Sequence, residues 1–219
     1  DLFIVKSYIT SDLLLAISKK YGIDCENGRV GFSDLSEIVR KKWKNNKINI
    51  GMFEESNGFG FAGNPMNHNI KSHFLEKDGF LSMMIILEIF AYAKSNDTTI
   101  FDLLDNLYLD PNIGYYATFR TQIPDDGMFE GICGELHKQE LLKHIETLAD
   151  RINDESKTSH PFKICGIPVS RVEKYSTGKY DKKYWSGFAD EGIRFFLDSN
   201  ANHITIRASG TEAKIRIFS

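Results

Sequence analysis

Short apolar runs alternate with helical periods through the first half of the chain, and this restricts that half to a layered α/β arrangement. Leu2-Phe3-Ile4-Val5 is fit for a buried strand, and Ile48 to Phe53 is a second such run. Between them, Leu14, Leu15, Ile17 and Tyr21 recur at helical spacing behind Ser11-Asp12, a candidate N-cap, and Gly22 closes that helix. Val30-Gly31-Phe32 leads to Asp34, another candidate N-cap, and to a helix through Trp43 whose inner stripe is Leu35, Ile38 and Val39. The basic run Arg40 to Lys47 then reads as a solvated helix face rather than a nucleic-acid patch. From Ser56 to Ser72 glycine and proline break any sustained period, which predicts a long loop or lid.

The most apolar stretch, Phe80 to Ala93, is too short to span a bilayer, contains Ser82 and Glu88, and reads as a buried core helix within a longer one from Lys77 to Lys94. Thr98-Thr99 can cap one more helix, which ends near Asp110-Pro111. A domain boundary follows, dividing an α/β domain at 1–112 from a smaller α+β domain at 113–219. In the second half Tyr115 to Ile123 alternates like a half-buried strand, and Glu135 to Ile152 reads as an amphipathic helix with Leu136, Leu141 and Ile145 inward. The remainder reads as short strands with polar turns.

Of 219 residues, 27 are Lys or Arg and 30 are Asp or Glu, a formal charge of −3. So balanced a chain is no binder of bulk nucleic acid, and any anion must meet a local site. With 42% hydrophobic residues, wholesale disorder is excluded. Cys25, Cys133 and Cys165 lack the spacing of a zinc site or a disulfide framework, which fits a reducing compartment. No signal peptide precedes the apolar stretch Phe80 to Ala93. Residue 1 is Asp and a core strand starts at once, so the chain reads as a fragment or a processed piece.

Two segments carry chemistry. Arg207-Ala208-Ser209-Gly210-Thr211 lies between two strands, and its parts suit an oxyanion. Ser209 and Thr211 offer hydroxyls, Gly210 lets backbone N–H groups turn inward, and the planar Arg207 fork can grip two phosphate oxygens. An ordinary Ser-Gly-Thr turn with a surface arginine has the same composition. The second segment, Glu54-Glu55-Ser56-Asn57-Gly58, ends a strand, where carboxylates and a hydroxyl can bind a polyol. On an extended segment Glu54 and Ser56 share a face and Glu55 points away; a solvated acidic turn is the plainer alternative. Lys77-Asp78-Gly79, preceded by His73, can add a cation to the same mouth or be simply an exposed helix start with Asp78 in the first turn.

Gly51-Met52-Phe53-Glu54-Glu55-Ser56, then His73-Phe74-Leu75-Glu76-Lys77-Asp78-Gly79, then the Arg207 to Arg216 loop, resemble in order and spacing the α-D-phosphohexomutase family of phosphoglucomutases and phosphomannomutases. The likeness covers the family's third and fourth domains over nearly the whole chain. It implies a mixed-sheet α/β domain followed by an α+β domain. It also implies a cytoplasmic enzyme that interconverts hexose 1- and 6-phosphates through a phosphoserine and a bisphosphorylated sugar. By that resemblance Glu54, Ser56, Lys6 and Lys77 contact the sugar, and Arg207, Ser209, Gly210 and Thr211 hold the phosphate that is not being transferred. The family's catalytic serine and magnesium-binding aspartates belong to its first two domains, and no Asp-x-Asp-x-Asp run occurs here. Magnesium, the hexose 1,6-bisphosphate activator and the N-terminal domains are therefore expected of the full-length protein. A non-catalytic module that binds phosphosugars with the same loops is the alternative. Three positions depart from the family: Ala213 stands for proline, Gly58 for a frequent histidine and Ser33 for a frequent lysine. Thr158-Ser159-His160-Pro161 only faintly matches the serine loop, Asp125-Asp126 reads as a turn, and His137 with His144 as solvated residues.

Overall fold

The computed structural model describes residues 1–56, 58–67, 70, 72–123, 128–155, 161–175, 192–199, 201–209 and 212–219. Gly210, Thr211, Asp125-Asp126 and Thr158-Ser159-His160 lie outside the described residues. The chain divides into two units, Asp1–Tyr116 and Ala117–Ser219.

In the first unit, β1 (Leu2–Ser7) runs parallel to both β2 (Asp24–Gly28) and β3 (Ile48–Phe53), and β4 (Phe59–Gly60) returns antiparallel to β3. The strand order β2-β1-β3-β4 makes this a mixed sheet, with helices α1 (Leu13–Tyr21) and α2 (Phe32–Trp43) as crossovers. Alternation along β1 turns Phe3 and Val5 to the α2 side, where they bury with Leu35, Val39, Met52 and Ala62. The ladder slips by one residue after Phe3, so Ile50 is extra. Buried Asn49 stitches this bulge: its Nδ2 donates to Gly51 O (3.0 Å) and its Oδ1 accepts from Ala62 N (3.2 Å).

The helix ends are set by whichever group wins each cap. At α1, Asp12 sits at the N-cap position without capping, because its carboxylate is taken by Lys6, and Ser11 Oγ accepts from Leu13 N instead. Gly22 closes the helix in the left-handed region at φ 65°, as expected of it. For α2, the structure replaces Asp34 with Gly31, whose φ of 117° starts the helix earlier and brings Phe32 into the core. Asp34 then sits in the first turn, where a carboxylate suits the helix dipole.

Asp78 caps α3 (Gly79–Ser95) by accepting from Leu81 N, so it lies one residue outside the helix rather than within its first turn. Thr99 and Asp102 form a reciprocal capping box at α4 (Ile100–Leu109). The expectation that Phe80 to Ala93 lies in the core is overturned: within α3 only Ala93 is buried. Within 56–72, the described Phe59 and Gly60 form a strand, so that stretch is not wholly loop.

In the second unit β5 (Arg120–Ile123), β8 (Arg171–Tyr175), β9 (Gly192–Phe196), β10 (His203–Ala208) and β11 (Ile215–Phe218) form an antiparallel sheet ordered β5-β11-β10-β9-β8. The strand expected from Tyr115 is shorter and starts at Arg120. A separate hairpin pairs β6 (Lys163–Ile164) with β7 (Ile167–Pro168) through Cys165 and Gly166, both at positive φ, as a two-residue primed turn requires. Helix α5 (Gly131–Glu155) buries Leu142, Ala149 and Ile152 at intervals of seven and three residues. Leu136 falls off that stripe and is exposed, contrary to its expected place. The inward position in its turn belongs to Lys138, whose ammonium pairs with Glu135 at 2.6 Å.

Gly134 lies against the Phe129 backbone so closely that a Cβ would overlap it. Gly134→Ala is expected to lower stability by roughly 1–3 kcal/mol through overpacking, with an unchanged urea m-value. A midpoint equal to that of the unchanged protein would show that the helix start yields freely.

Candidate functional site

The parallel ladder brings the carboxyl ends of β1, β2 and β3 to one edge, with Lys6 opposite Phe53 and Ser7 opposite Gly28. β1 leads outward to β2, whereas β3 lies on its other side, so the crevice between β1 and β3 is a topological switch point. Four sequence-derived candidates, Lys6, Glu54, Ser56 and Lys77, come together around this edge. The Glu54 carboxylate is mostly buried, and the exposed Lys77 Nζ lies 3.4 Å away and 5.7 Å from the centre of the Phe32 ring. Glu54 N donates to Gly58 O at 2.8 Å, which folds the loop back. A side chain at Gly58 would collide with both Phe32 and Glu54 Oε2, which explains why this chain carries glycine there.

Ser56 has left the strand, and its Oγ donates to Glu55 Oε1 (3.3 Å). Glu55 was expected to face away, yet its Oε2 accepts from Ser7 Oγ (2.9 Å), because the turn ends strict alternation. Glu55 and Ser7 are therefore members of the cluster that sequence reasoning missed. The only signal for them was adjacency to Glu54 and Lys6. Lys6 is wholly buried: its Nζ meets Asp12 Oδ1 and Thr10 O, both at 2.8 Å, and braces the turn below the mouth. Beside Lys77, His73 Nε2 lies 2.8 Å from Asp78 Oδ2. The Leu81 N–H first, and His73 second, hold the Asp78 carboxyl below its ordinary range.

In the second unit β10 and β11 place Arg207 directly opposite Arg216, on the same sheet face. In the turn between them, Ser209 N donates to Lys214 O (2.9 Å), and the buried Ser209 Oγ accepts from Glu212 N (3.2 Å) while keeping an O–H to donate. Glu212 also pairs with Arg216. Arg216 is the second arginine that the sequence reading did not single out. Its signal is symmetry, since it mirrors Arg207 across the turn.

The same face continues away from the turn. Buried Arg194 donates from Nε to Thr205 Oγ1 (3.0 Å), and its strand partner Glu173 accepts from Tyr175 Oη (2.6 Å) and Arg171 Nε (3.2 Å). Burial first, and the bond to Glu173 second, push the Tyr175 hydroxyl up to about 12.

Among the described residues no group of three or more His, Cys, Asp or Glu side chains stands together as a metal site. These residues therefore do not fit the magnesium that the family resemblance implies. His137 meets the Phe129 ring edge-on. Among the described residues no helix is long and apolar enough to cross a membrane.

The first unit is thus a mixed sheet with two crossover helices and a cluster of polar side chains at its switch point, and the second is an antiparallel sheet with an arginine-flanked turn. Residues 1–109 match the family described as phosphoglucomutase/phosphomannomutase, alpha/beta/alpha domain III, and the chain belongs to that family. It is 25% identical to a phosphoglucomutase of Staphylococcus saprophyticus over 99% of this chain and 35% of that protein. It is 22% identical to a phosphomannomutase of Mycoplasma pneumoniae over 99% of this chain and 32% of that one, and 25% identical to a human phosphopentomutase over 100% and 32%. In structure it resembles the open form of the Paramecium phosphoglucomutase pp63/parafusin, with a TM-score of 0.58 at 20% identity, over 98% of this chain and 32% of that one. The chain thus spans about a third of the length of these relatives.

Because the folded-state value of Tyr175 lies above its ordinary 10, its contribution to stability is complete below pH 10 and is lost as pH rises towards 12. Ultraviolet titration should show a tyrosine step near pH 12 that Tyr175→Phe removes, and Glu173→Gln should lower that step only in part, because burial is the larger cause. A titration with no step that Tyr175→Phe removes near pH 12 would overturn the buried, bonded state of Tyr175.

Proposed function

We propose that this chain is the carboxyl-terminal part of a phosphohexomutase, supplying the sugar-binding and phosphate-binding domains of an enzyme that interconverts hexose 1-phosphate and hexose 6-phosphate. The single observation that carries the reading is the Arg207 and Arg216 pair flanking the Ser209 turn. The strand register sets the two arginines side by side next to the Ser209 turn, and guanidinium forks with a hydroxyl donor are groups that suit a phosphate dianion. By the family resemblance, Gly210 and Thr211 are assigned to the same phosphate site. In the first domain, at 1–112, Glu54, Ser56 and Lys77 bind the sugar hydroxyls, and Lys6 holds the turn beneath them. The phosphate cradle belongs to the second domain, at 113–219.

In the proposed reaction a phosphoserine elsewhere in the full-length polypeptide loses its phosphoryl group to a free sugar hydroxyl. The P–O bond to the serine breaks, a P–O bond to the sugar forms, and the proton lost by the sugar hydroxyl is balanced by one gained at the departing serine oxygen. The resulting bisphosphorylated sugar turns over, and the serine recovers the other phosphoryl group. The residues of this chain hold and orient the sugar and its idle phosphate, so their contribution is positioning and charge stabilisation. The serine and the magnesium site belong to the N-terminal domains, the bisphosphate is intermediate and activator, and the enzyme works in the cytoplasm. Relatives named phosphoglucomutase, phosphomannomutase and phosphopentomutase support a phosphorylated sugar as the substrate class.

Calorimetry with glucose 1-phosphate tests this. Losing a charge-assisted grip of about 1.5–3 kcal/mol, Arg207→Ala should weaken binding roughly tenfold to a hundredfold. Unchanged affinity would remove the phosphate assignment. Glu54→Gln should weaken glucose 1-phosphate and leave inorganic phosphate unaffected; an equal loss of both would show that Glu54 does not touch the sugar.

A further inference from the structure

The Glu55 carboxylate has no task in the sugar reading, yet both of its oxygens are engaged. Its Oε2 accepts from Ser7 Oγ on β1 (2.9 Å), and its Oε1 accepts from Ser56 Oγ in the loop after β3 (3.3 Å). Ser7 is wholly buried and Ser56 is exposed, so one half-buried side chain joins the floor of the sheet to the rim of the mouth.

The hydroxyl protons along this line can be assigned. A carboxylate only accepts, so Ser7 directs its single O–H at Glu55, and the proton in the 2.8 Å bond between the Ser7 and Thr10 hydroxyls comes from Thr10. The Thr10 carbonyl in turn accepts from Lys6 Nζ, which Asp12 holds at 2.8 Å. The line therefore ends in the buried ion pair that braces the turn, and its hydroxyl protons all point toward Glu55. Bonds aligned in this way strengthen one another. Ser56 obeys the same rule from the other side: with its proton directed at Glu55, its oxygen presents lone pairs to the mouth.

We infer that Glu55 is a positioning residue that fixes Ser56 as a hydrogen-bond acceptor, so that Ser56 recognises a sugar hydroxyl by accepting its bond rather than by donating one. This rests on the proposed contact between Ser56 and the sugar, and it deepens that reading. The Glu54 carboxylate is likewise an acceptor, so the rim selects a ligand that offers hydroxyl donors. A solvated acidic turn, the plainer account of residues 54–58, predicts instead that Glu55 and Ser56 act independently.

Calorimetry of the 219-residue chain tests this with glucose 1-phosphate and its monodeoxyfluoro analogues, in which fluorine keeps the place of a hydroxyl and donates nothing. One analogue should bind roughly threefold to tenfold more weakly than glucose 1-phosphate, the effect of one neutral hydrogen bond, and the difference should vanish in Ser56→Ala. Glu55→Gln keeps the shape of the side chain but accepts through one oxygen only. It should weaken glucose 1-phosphate by a similar factor, with the cooperative melt retained and inorganic phosphate bound as before. Added to Ser56→Ala, it should weaken binding no further, because it acts through a hydroxyl already absent. Ser7→Ala removes the anchor, leaves Glu55 and Ser56 in place, and should repeat the loss.

Additive losses from Glu55→Gln and Ser56→Ala would overturn the inference, as would a Glu55→Gln chain that binds glucose 1-phosphate unchanged. So would a set of analogue penalties that all survive Ser56→Ala, since no sugar hydroxyl would then donate to Ser56. In each of these cases the sugar reading stands if Ser56→Ala by itself weakens glucose 1-phosphate and spares inorganic phosphate. If Ser56→Ala changes neither, the Ser56 contact and the inference fall together.

Discussion

Parallel pairing on both sides of β1 governs the first unit. Parallel neighbours cannot be joined by a tight turn, so α1 and α2 must cross over, and three strands must deliver their carboxyl ends to the same edge. That edge collects Lys6, Ser7, Glu54 and Glu55 from segments almost fifty residues apart. It also concentrates a cost, because Lys6 is buried and a buried ammonium is tolerable only when paired and hydrogen-bonded. Asp12 and the Thr10 carbonyl meet that need, and in doing so they fix the turn that holds Ser7 against Glu55. The rigidity of the mouth and the burial of its central cation are one arrangement seen from two sides.

The second unit meets a different constraint. Its sheet is closed on one face by α5 over Val172, Ile193 and Phe195, while the register places Arg194, Thr205, Arg207 and Arg216 on the other. Antiparallel pairing puts residues symmetric about a turn side by side, so two arginines nine positions apart become neighbours. Of this pair, Arg216 is held by the Glu212 carboxylate.

Much of the architecture was legible in the residues themselves. The apolar runs at Leu2 to Val5 and Ile48 to Phe53, the stop at Gly22 and the Thr99 cap follow from local chemistry and appear where that chemistry puts them. Asp34 and Leu136 were misread because both depend on phase. Gly31 starts α2 earlier than its acidic residue suggests, and α5 rolls so that Lys138 faces inward. The burial expected of α3 rested on composition, which states that a helix needs cover and not what supplies it.

Sequence alone determined the α/β order, the residue types at both chemical segments and their likeness to a family, because these depend on contacts a few residues apart. Only the tertiary structure decided that Glu55 joins Ser7, that Lys6 is consumed by Asp12 and that Arg216 stands beside Arg207. Those relations are set by strand register, and register is a property of pairing between distant segments rather than of either segment by itself.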